Sequence, residues 1–434
     1  MTALNLFYNI IANLAGPLLA LAATIGGRFG GPWRERLGLT FFPRRIFGRP
    51  RLWFHGSSVG EIQSAAAVIA ALQKQCPEAE IYLSATTPAG LNTAAKILTP
   101  PKKNRIIAAP LDFWGAPSRV LTRLAPDVLV IMETELWPNF LTAAAASGTK
   151  IILAAARLTP ISFKRYQLIQ KFMAGLLAKF QLIAPASEAE RDFFAALGAA
   201  PDRLKILGNP KFDLLLATAE NSDFKASVKI YQQKLWGEAP TAPLLVAGST
   251  HPGEEDLIAA AFIYLKKSRP DLRLLLAPRH LGRIQSILAS LKKLGLRCAL
   301  AGTELNQPLF PEMEVVILDS LGQLQTFYAL ASIVLIGGSL KPGLSGHNPL
   351  EPAAVKKPIL FGPHMKSFAL EAAGLTNCGG AIQTSQRTLA QDFDQWLRQP
   401  DAAEKAGRAA HAFLTARKPV APSLAKAILQ ILQV

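Results

Sequence analysis

Short, continuously apolar runs alternate with longer stretches of helical periodicity along most of this chain. The runs fall at 51–55, 80–86, 104–109, 127–132, 150–155 and 181–186, with a short one at 204–208. A second series follows at 243–248, 272–277, 314–318, 332–337 and 357–361. Most are apolar without alternation, as expected of strands covered on both faces in a parallel sheet. The segments between them, such as 62–75 and 257–267, have helix length and period. Strand–helix alternation of this kind predicts a doubly wound α/β architecture. The two series are separated by 214–242, a mixed stretch containing Asn221-Ser222-Asp223 and ending between Pro240 and Pro243. Two Rossmann-like domains, 28–213 and 243–434, joined by this linker are therefore expected. A cleft would lie at the carboxyl ends of the two sheets, where open α/β sheets bind ligands.

The first 27 residues carry no charged side chain, and 4–25 approaches the roughly 20 residues a bilayer span requires. Asn5, Asn9 and Asn13 recur every four residues, and Gly16-Pro17 is expected to interrupt the helix. Residues 1–27 thus read as a membrane anchor that either spans the bilayer or lies in its interface. A cleaved signal peptide would need a basic residue ahead of the apolar run, and none is there. Arg28, Arg34, Arg36, Arg44, Arg45, Arg49 and Arg51 follow instead, and such a cluster stays cytoplasmic.

Composition narrows the partners. Lys and Arg number 47 against 30 Asp and Glu, a net charge of +17 that favours anionic partners such as nucleotide phosphates or an anionic membrane surface. The basic residues are dispersed, without finger spacing or an RNA-recognition signature, so nucleic acid is not an expected partner. Cys76, Cys298 and Cys378 are odd in number and far apart, which fits a reducing compartment and argues against structural zinc. His251, His280, His347 and His364 match no compact metal-site spacing, and no metal site is expected.

Residues that a core does not need cluster just after the predicted strands. After the first comes GSSVGE (56–61), where Glu61 opens a helix, a position equally suited to capping. METELWPN (132–139) follows the fourth, and GNPKFD (208–213) closes the first series. In the second half, Ser249 and Thr250 offer donors to phosphate or form a plain N-cap pair. Arg279 suits a phosphate or an ordinary ion pair. Gly337, Gly338 and Ser339 allow close backbone approach to a ligand. Asn348 and Glu351, within HNPLEP, present an amide and a carboxylate to ribose hydroxyls or merely shape a turn.

Together FHGSSVGE, ETELWPN, ARL (156–158) with Arg165-Tyr166, GNPKFD, AGSTHPGEE, PRH, GGS and GHNPLEPA resemble the 3-deoxy-D-manno-oct-2-ulosonic acid (Kdo) transferases over nearly the whole chain. The resemblance implies the GT-B fold, two Rossmann-like domains facing a cleft, with an N-terminal membrane-anchoring helix and no cofactor or catalytic metal. It implies transfer of Kdo from CMP-Kdo to a lipid A precursor at the cytoplasmic face of the inner membrane, in lipopolysaccharide synthesis. Glu61 then matches the catalytic base of a direct displacement, and Glu133, Glu135 and Lys211 match residues that assist it. Ser57, Ser58, Gly60 and Arg157 fall on the acceptor side. Pro278-Arg279, Leu321-Gly322-Gln323 and Asn348-Pro349-Leu350-Glu351 match segments that contact CMP. The chain departs from the family pattern at Gln323, usually Glu, and at Ser345-Gly346, usually a glycine pair. An enzyme using another nucleotide sugar, a hexosamine epimerase of the same architecture and a membrane-bound scaffold without turnover are the competing readings.

Overall fold

The apolar runs of the first half form six strands: β1 (Arg51–Gly56), β2 (Glu80–Ala85), β3 (Arg105–Ala108), β4 (Val128–Met132), β5 (Lys150–Ala156) and β6 (Leu182–Pro185). They pair in the order β3-β2-β1-β4-β5-β6, all parallel. Successive side chains point to opposite faces. Leu52 and Phe54 therefore enter one core layer and Trp53 the other, each layer roofed by helices. This is why the runs are apolar at consecutive positions. The sheet reverses direction between β1 and β4, and the segments leaving their carboxyl ends carry GSSVGE and ETELWPN.

The second half supplies β7 (Leu244–Thr250), β8 (Arg273–Pro278), β9 (Cys298–Leu300), β10 (Val315–Ile317), β11 (Ile333–Ile336), β12 (Ile359–Phe361) and β13 (Ala381–Gln383). Their order is β13-β12-β11-β7-β8-β10-β9, again parallel, with the reversal between β7 and β11. This computed structural model describes residues 3–26, 32–98, 105–113, 115–237, 242–302, 308–310, 312–416 and 419–433. Arg28, Pro240 and the side chain of Asn5 lie outside the described residues.

Several expectations change. Residues 204–208 contribute only an isolated bridge from Leu204 to Ile183. The edge strands β9 and β13 were not predicted: they are only partly buried and lack the consecutive covered positions that marked the equally short β10 and β12. The expected linker is helical: Lys211–Glu220 is followed by Ser222–Trp236, which Asn221 caps through its side chain. Leu235 and Trp236 are buried, so this segment belongs to the second unit's fold.

The two units comprise Met1–Leu214 with Pro419–Val434, and Leu215–Lys418. The helix Val420–Gln433 thus packs with the first half, whereas the expected boundary put it in the second. Its apolar stripe, Val420, Leu424 and Ile428, shares a core with Ile62, Val68 and Ile69 of the helix Val59–Gln75.

The apolar N-terminal segment forms one helix, Ala3–Ile25, with Pro17 inside it and no break at Gly16-Pro17. Among the described residues no helix is long and apolar enough to cross a membrane. One face of this helix docks on the first unit. Tyr8 donates to Asp112 (2.7 Å), Ala20 packs with Leu111 and Phe113, and a Cβ on Gly16 would come within 2.7 Å of the Phe113 ring. Gly16 is therefore a contact residue. The opposite face exposes Leu6, Phe7, Ile10, Leu14, Leu18 and Leu21.

The arginine cluster divides likewise. Arg51 is buried, donating to Glu80 (2.7 Å) and to the Leu124 carbonyl (2.8 Å), and Arg36 is buried against the Ala109 and Thr86 carbonyls. Neither is available to a lipid surface. Arg34, Arg44, Arg45 and Arg49 are exposed, beside exposed Phe41, Ile46 and Phe47.

A chain ending at residue 418 should lose stability in its first unit. Val420, Leu424 and Ile428 each contribute roughly 1.5–3 kcal/mol by burial. Urea unfolding followed through probes in the first unit should shift by several kcal/mol, and an unchanged midpoint would contradict this packing.

Candidate active site

At the reversal of the first sheet, Ser58 and Glu61 form a reciprocal cap on the helix Val59–Gln75. The Glu61 amide donates to Ser58 Oγ (3.5 Å), and Ser58 Oγ donates to Glu61 Oε1 (2.9 Å). The Ser57 amide donates to Glu61 Oε2 at 2.6 Å. Glu61 is a cap by geometry, and the pattern S-x-x-E is what such a cap requires. Its environment goes further. Burial raises its pKa above the ordinary carboxylate range, the charges of Glu135 and Glu133 add to the rise, and the two caps from Ser57 and Ser58 only partly oppose it.

Glu133 follows β4 with a left-handed backbone, φ 57°, which a non-glycine residue adopts at a cost of about 1–3 kcal/mol. Two bonds hold it there: its amide donates to the Ala154 carbonyl (2.9 Å), and the next hydroxyl, Thr134, donates to the Arg157 carbonyl. β5 helps by bulging between Leu153 and Ala156. The Glu133 carboxylate accepts from Lys211 Nζ at 2.6 Å. Lys211 reaches it by crossing Gly60, where an added Cβ would lie 3.3 Å from the ammonium. Lys211, Glu133 and Gly60, singled out from separate motifs, thus meet at one point.

Glu135 accepts from Trp137 Nε1 (2.6 Å) and lies 3.8 Å from His55 Nε2. Burial acts to raise its pKa, but His55 and Trp137 outweigh burial and hold it below the ordinary range. His55 is buried, with Nδ1 2.9 Å from Ser84 Oγ, which also accepts from Trp53 Nε1. If Nε2 carries the proton that faces Glu135, Nδ1 accepts from the Ser84 hydroxyl. Tyr166 titrates high, through burial and then the charge of Glu135. Arg157 lies beside Glu190 (3.5 Å) rather than at the three carboxylates. His55 and Trp137 sit inside the motifs FHGSSVGE and ETELWPN without a role assigned from sequence. The signal was present: an apolar strand that ends in histidine, facing the adjacent strand's carboxylate.

The second unit concentrates polar groups at the reversal between β7 and β11. Ser249 is left-handed (φ 58°), like Glu133 in the first unit. Glu254, fully buried, accepts from four backbone amides: His251 (2.9 Å), Gly338 (2.7 Å), Ser339 (3.0 Å) and Leu340 (2.9 Å). This corrects the expectation that the GGS turn allows close backbone approach to a ligand, because a carboxylate of the chain occupies its Gly338 and Ser339 amides. Gly337 makes its close approach to the Ser249 carbonyl and not to a ligand: a Cβ at this position would lie 2.5 Å from that oxygen. Ser339 is buried, donating to the Ile336 carbonyl (2.5 Å) and accepting from the Gly362 amide. Thr250 is buried and donates to Glu255 (2.8 Å), which Arg283 grips with both terminal nitrogens. Thr250, Gly338 and Ser339 are therefore structural.

Other expected donor residues remain accessible. Arg279 and His280 are exposed at the end of β8, and Leu321 and Gly322 at the end of β10. Gln323 accepts from Ser320 (2.8 Å). Asn348 caps its own turn by accepting from the Leu350 amide (3.1 Å) and donates to Glu351 (3.3 Å). Burial raises Glu351. Pro278, Pro349 and Leu350 are buried, and serve as packing. The fold also brings together histidines that sequence spacing left apart. His251 Nε2 lies 2.8 Å from His347 Nε2, with His280 edge-on to His251. One of the facing nitrogens must carry the proton and the other accept it. Burial, then His251, Arg279 and His280, lower His347 to about 4. Among the described residues no group of three or more His, Cys, Asp or Glu is arranged to hold a metal ion.

Glu133→Gln should lower the pKa of Glu61, since one of the charges raising it disappears. Carbon NMR titration of the Glu61 carboxyl would then show its midpoint at lower pH, and a midpoint unmoved or higher would contradict the coupling.

Residues 31–214 match the family described as 3-deoxy-D-manno-octulosonic-acid transferase (kdotransferase). The chain is 32% identical over 343 residues to a 3-deoxy-D-manno-octulosonic acid transferase of Rickettsia typhi, covering 78% of this chain and 70% of that one. It is 29% identical over 417 residues to the transferase of the same name from Haemophilus influenzae, covering 94% of each. Among solved structures, UDP-GlcNAc 2-epimerase from Neisseria meningitidis bound to UDP-GlcNAc superposes with a TM-score of 0.61 at 14% identity, over 88% of this chain and 99% of that one. That likeness is one of fold. With the sequence relatives spanning most of its length, the chain belongs to the 3-deoxy-D-manno-octulosonic acid transferase family and is an enzyme of that family.

Proposed function

We infer that the protein transfers Kdo from CMP-Kdo to a lipid A precursor, with Glu61 as general base. The observation that carries this reading is the placement of Glu61, buried at a capped helix N-terminus beside Glu133–Lys211 and Glu135, where burial raises its proton affinity. The acceptor hydroxyl gives its proton to the Glu61 carboxylate as its oxygen bonds to the anomeric carbon of Kdo. The bond from that carbon to the CMP phosphate oxygen breaks, and its electron pair leaves with the phosphate. A base is most useful when its pKa approaches the working pH, and burial moves Glu61 in that direction. Lys211 offsets the charge of Glu133, so that Glu61 is not the third uncompensated anion at the site.

In the second unit, Arg279 is an exposed cation suited to the leaving phosphate, and Asn348 with Glu351 suits ribose hydroxyls. No step of this reading is assigned to a metal or cofactor. The exposed apolar face of the helix Ala3–Ile25, together with Phe41, Ile46, Phe47 and the exposed arginines, supports attachment in the membrane interface. On this reading the enzyme works at the inner membrane, because the acceptor cannot leave the bilayer cheaply (each exposed CH₂ costs about 0.8 kcal/mol), and the exposed arginines favour its cytoplasmic face.

Glu61→Gln should lower transfer by about 10²–10⁴, the usual effect of losing a positioned base. Stability should behave differently. Because folding raises the Glu61 pKa, its contribution to stability is fully present below the unfolded value and lost as pH rises through the folded value. A glutamine, which also suits this cap, removes that loss, so thermal unfolding at neutral pH should be no lower than in the parent chain. Transfer within a few-fold of the parent would assign Glu61 to capping alone.

Replacing Phe47 by Ser together with Arg44 and Arg49 by Ala should weaken binding to vesicles containing anionic lipid. Each arginine near such a surface contributes about 1 kcal/mol. The arginine share of the deficit should shrink as salt rises. Equal vesicle binding by parent and variant would remove this loop from the membrane interface.

A further inference from the structure

Between the helix Ala3–Ile25 and the body of the first unit lies a cavity of about 540 Å³. Its walls include Ile11, Ala12, Leu111, Phe113, Trp137 and Phe140. Polar groups also reach the wall, but they have partners within the protein. Tyr8 donates to Asp112, whose carboxylate also accepts from the Asn139 (3.0 Å) and Phe140 (2.7 Å) amides. Arg36 donates to the Ala109 and Thr86 carbonyls, and His55 is bonded to Ser84. Such a cavity has little with which to recognise a sugar or a phosphate, and much with which to hold an apolar chain.

Its position is informative. Trp137 and His55 line the cavity, and the same two residues contact the Glu135 carboxylate. One wall is therefore shared between an apolar chamber and the candidate catalytic carboxylates. A ligand using both would carry a polar reacting end and an apolar tail. The helix that closes the chamber turns the small Ala12, Gly16 and Ala20 inward, the last two packed against Phe113, and exposes Leu14, Leu18 and Leu21 on its other side. An apolar tail drawn from a bilayer would thus pass from one apolar surface to another.

We propose that this cavity is an acyl-chain site: it takes one hydrocarbon tail of the acceptor lipid and so positions the acceptor sugar at Glu61 and Glu135. The proposal rests on the acceptor being a lipid, as inferred above, and goes beyond it by assigning the tail a place. The helix Ala3–Ile25 is then part of substrate recognition as well as of membrane attachment.

The full chain in a short-chain detergent can be tested with a brominated fatty acid, since bromine quenches indole fluorescence on contact. Quenching should be saturable, should fall in Trp137→Phe to the share reported by Trp33, which packs on the same Leu111 and Phe113 wall, and should weaken at least fivefold in Ala12→Phe, whose ring fills the chamber. Equal fractional quenching of the parent chain and Trp137→Phe would overturn the site. The second measurement is transfer to an acylated acceptor and to its deacylated disaccharide. Ala12→Phe should lower the ratio of the two kcat/KM values at least tenfold, whereas equal loss on both acceptors would overturn the proposal. If Ala12→Phe fails to fold, the parent chain still decides. Its acceptor KM should fall with acyl length and then level off once the chamber is full, and a KM independent of length would refute the site. A parent chain that transfers Kdo to neither acceptor would refute the Kdo reading, while the quenching still decides the chamber.

Discussion

Crowding of like charge at the reversal between β1 and β4 governs the first unit. Two neighbouring parallel strands deliver Glu61, Glu133 and Glu135 to one place, and a partly buried set of three carboxylates cannot all ionise without compensation. The surrounding structure follows from that requirement. Lys211 reaches Glu133 by crossing Gly60, where an added Cβ would crowd its ammonium at 3.3 Å. Glu135 needs His55 and Trp137, and His55 needs Ser84 to fix its other nitrogen. Glu61 keeps a backbone amide and a hydroxyl, and burial, then the charges of Glu135 and Glu133, raise its proton affinity above the ordinary value. On the reading proposed above, the differing environments of Glu61 and Glu135, one raised and the other lowered, are what would let Glu61 act as base.

The second unit meets the equivalent place in its sheet with an internal anion. Glu254 lies where the turns after β7 and β11 aim their amides, and takes four of them. In many doubly wound proteins such amides meet a ligand phosphate. Here a phosphate would have to be met by side chains, with Arg279 an exposed cation nearby and the His251–His347 pair beside it.

How much of this was readable from sequence depended on how local the cause was. Strands covered on both faces announce themselves through consecutive apolar residues, so the central strands of both sheets were legible. β9 and β13 at the edges were not, because an edge strand is only partly covered and lacks that consecutive apolar signal. Glu61, Glu133, Lys211 and Gly60 were legible as members of motifs, yet their meeting was not, since it depends on a chain crossing between segments far apart in sequence. Thr250 and Ser339 were misjudged for the same reason: a hydroxyl after a strand looks like a ligand donor until the partner that takes it, Glu255 or the Ile336 carbonyl, is seen. Gly16-Pro17 looked like a helix break because its tertiary neighbour, Phe113, is invisible to local propensity.

The return of the helix Val420–Gln433 to the first unit bears on how the chain is made. On the ribosome, domains generally fold as units from the N-terminus onward. Here the first unit lacks part of its hydrophobic core until some two hundred residues of the second have been synthesised, because Ile62, Val68 and Ile69 await Val420, Leu424 and Ile428. During that interval the nascent chain exposes an apolar helix face. The second unit waits on no such later segment and can form first. The first unit's core is thus begun by Ile62, Val68 and Ile69 and closed only when the helix Val420–Gln433 returns to it.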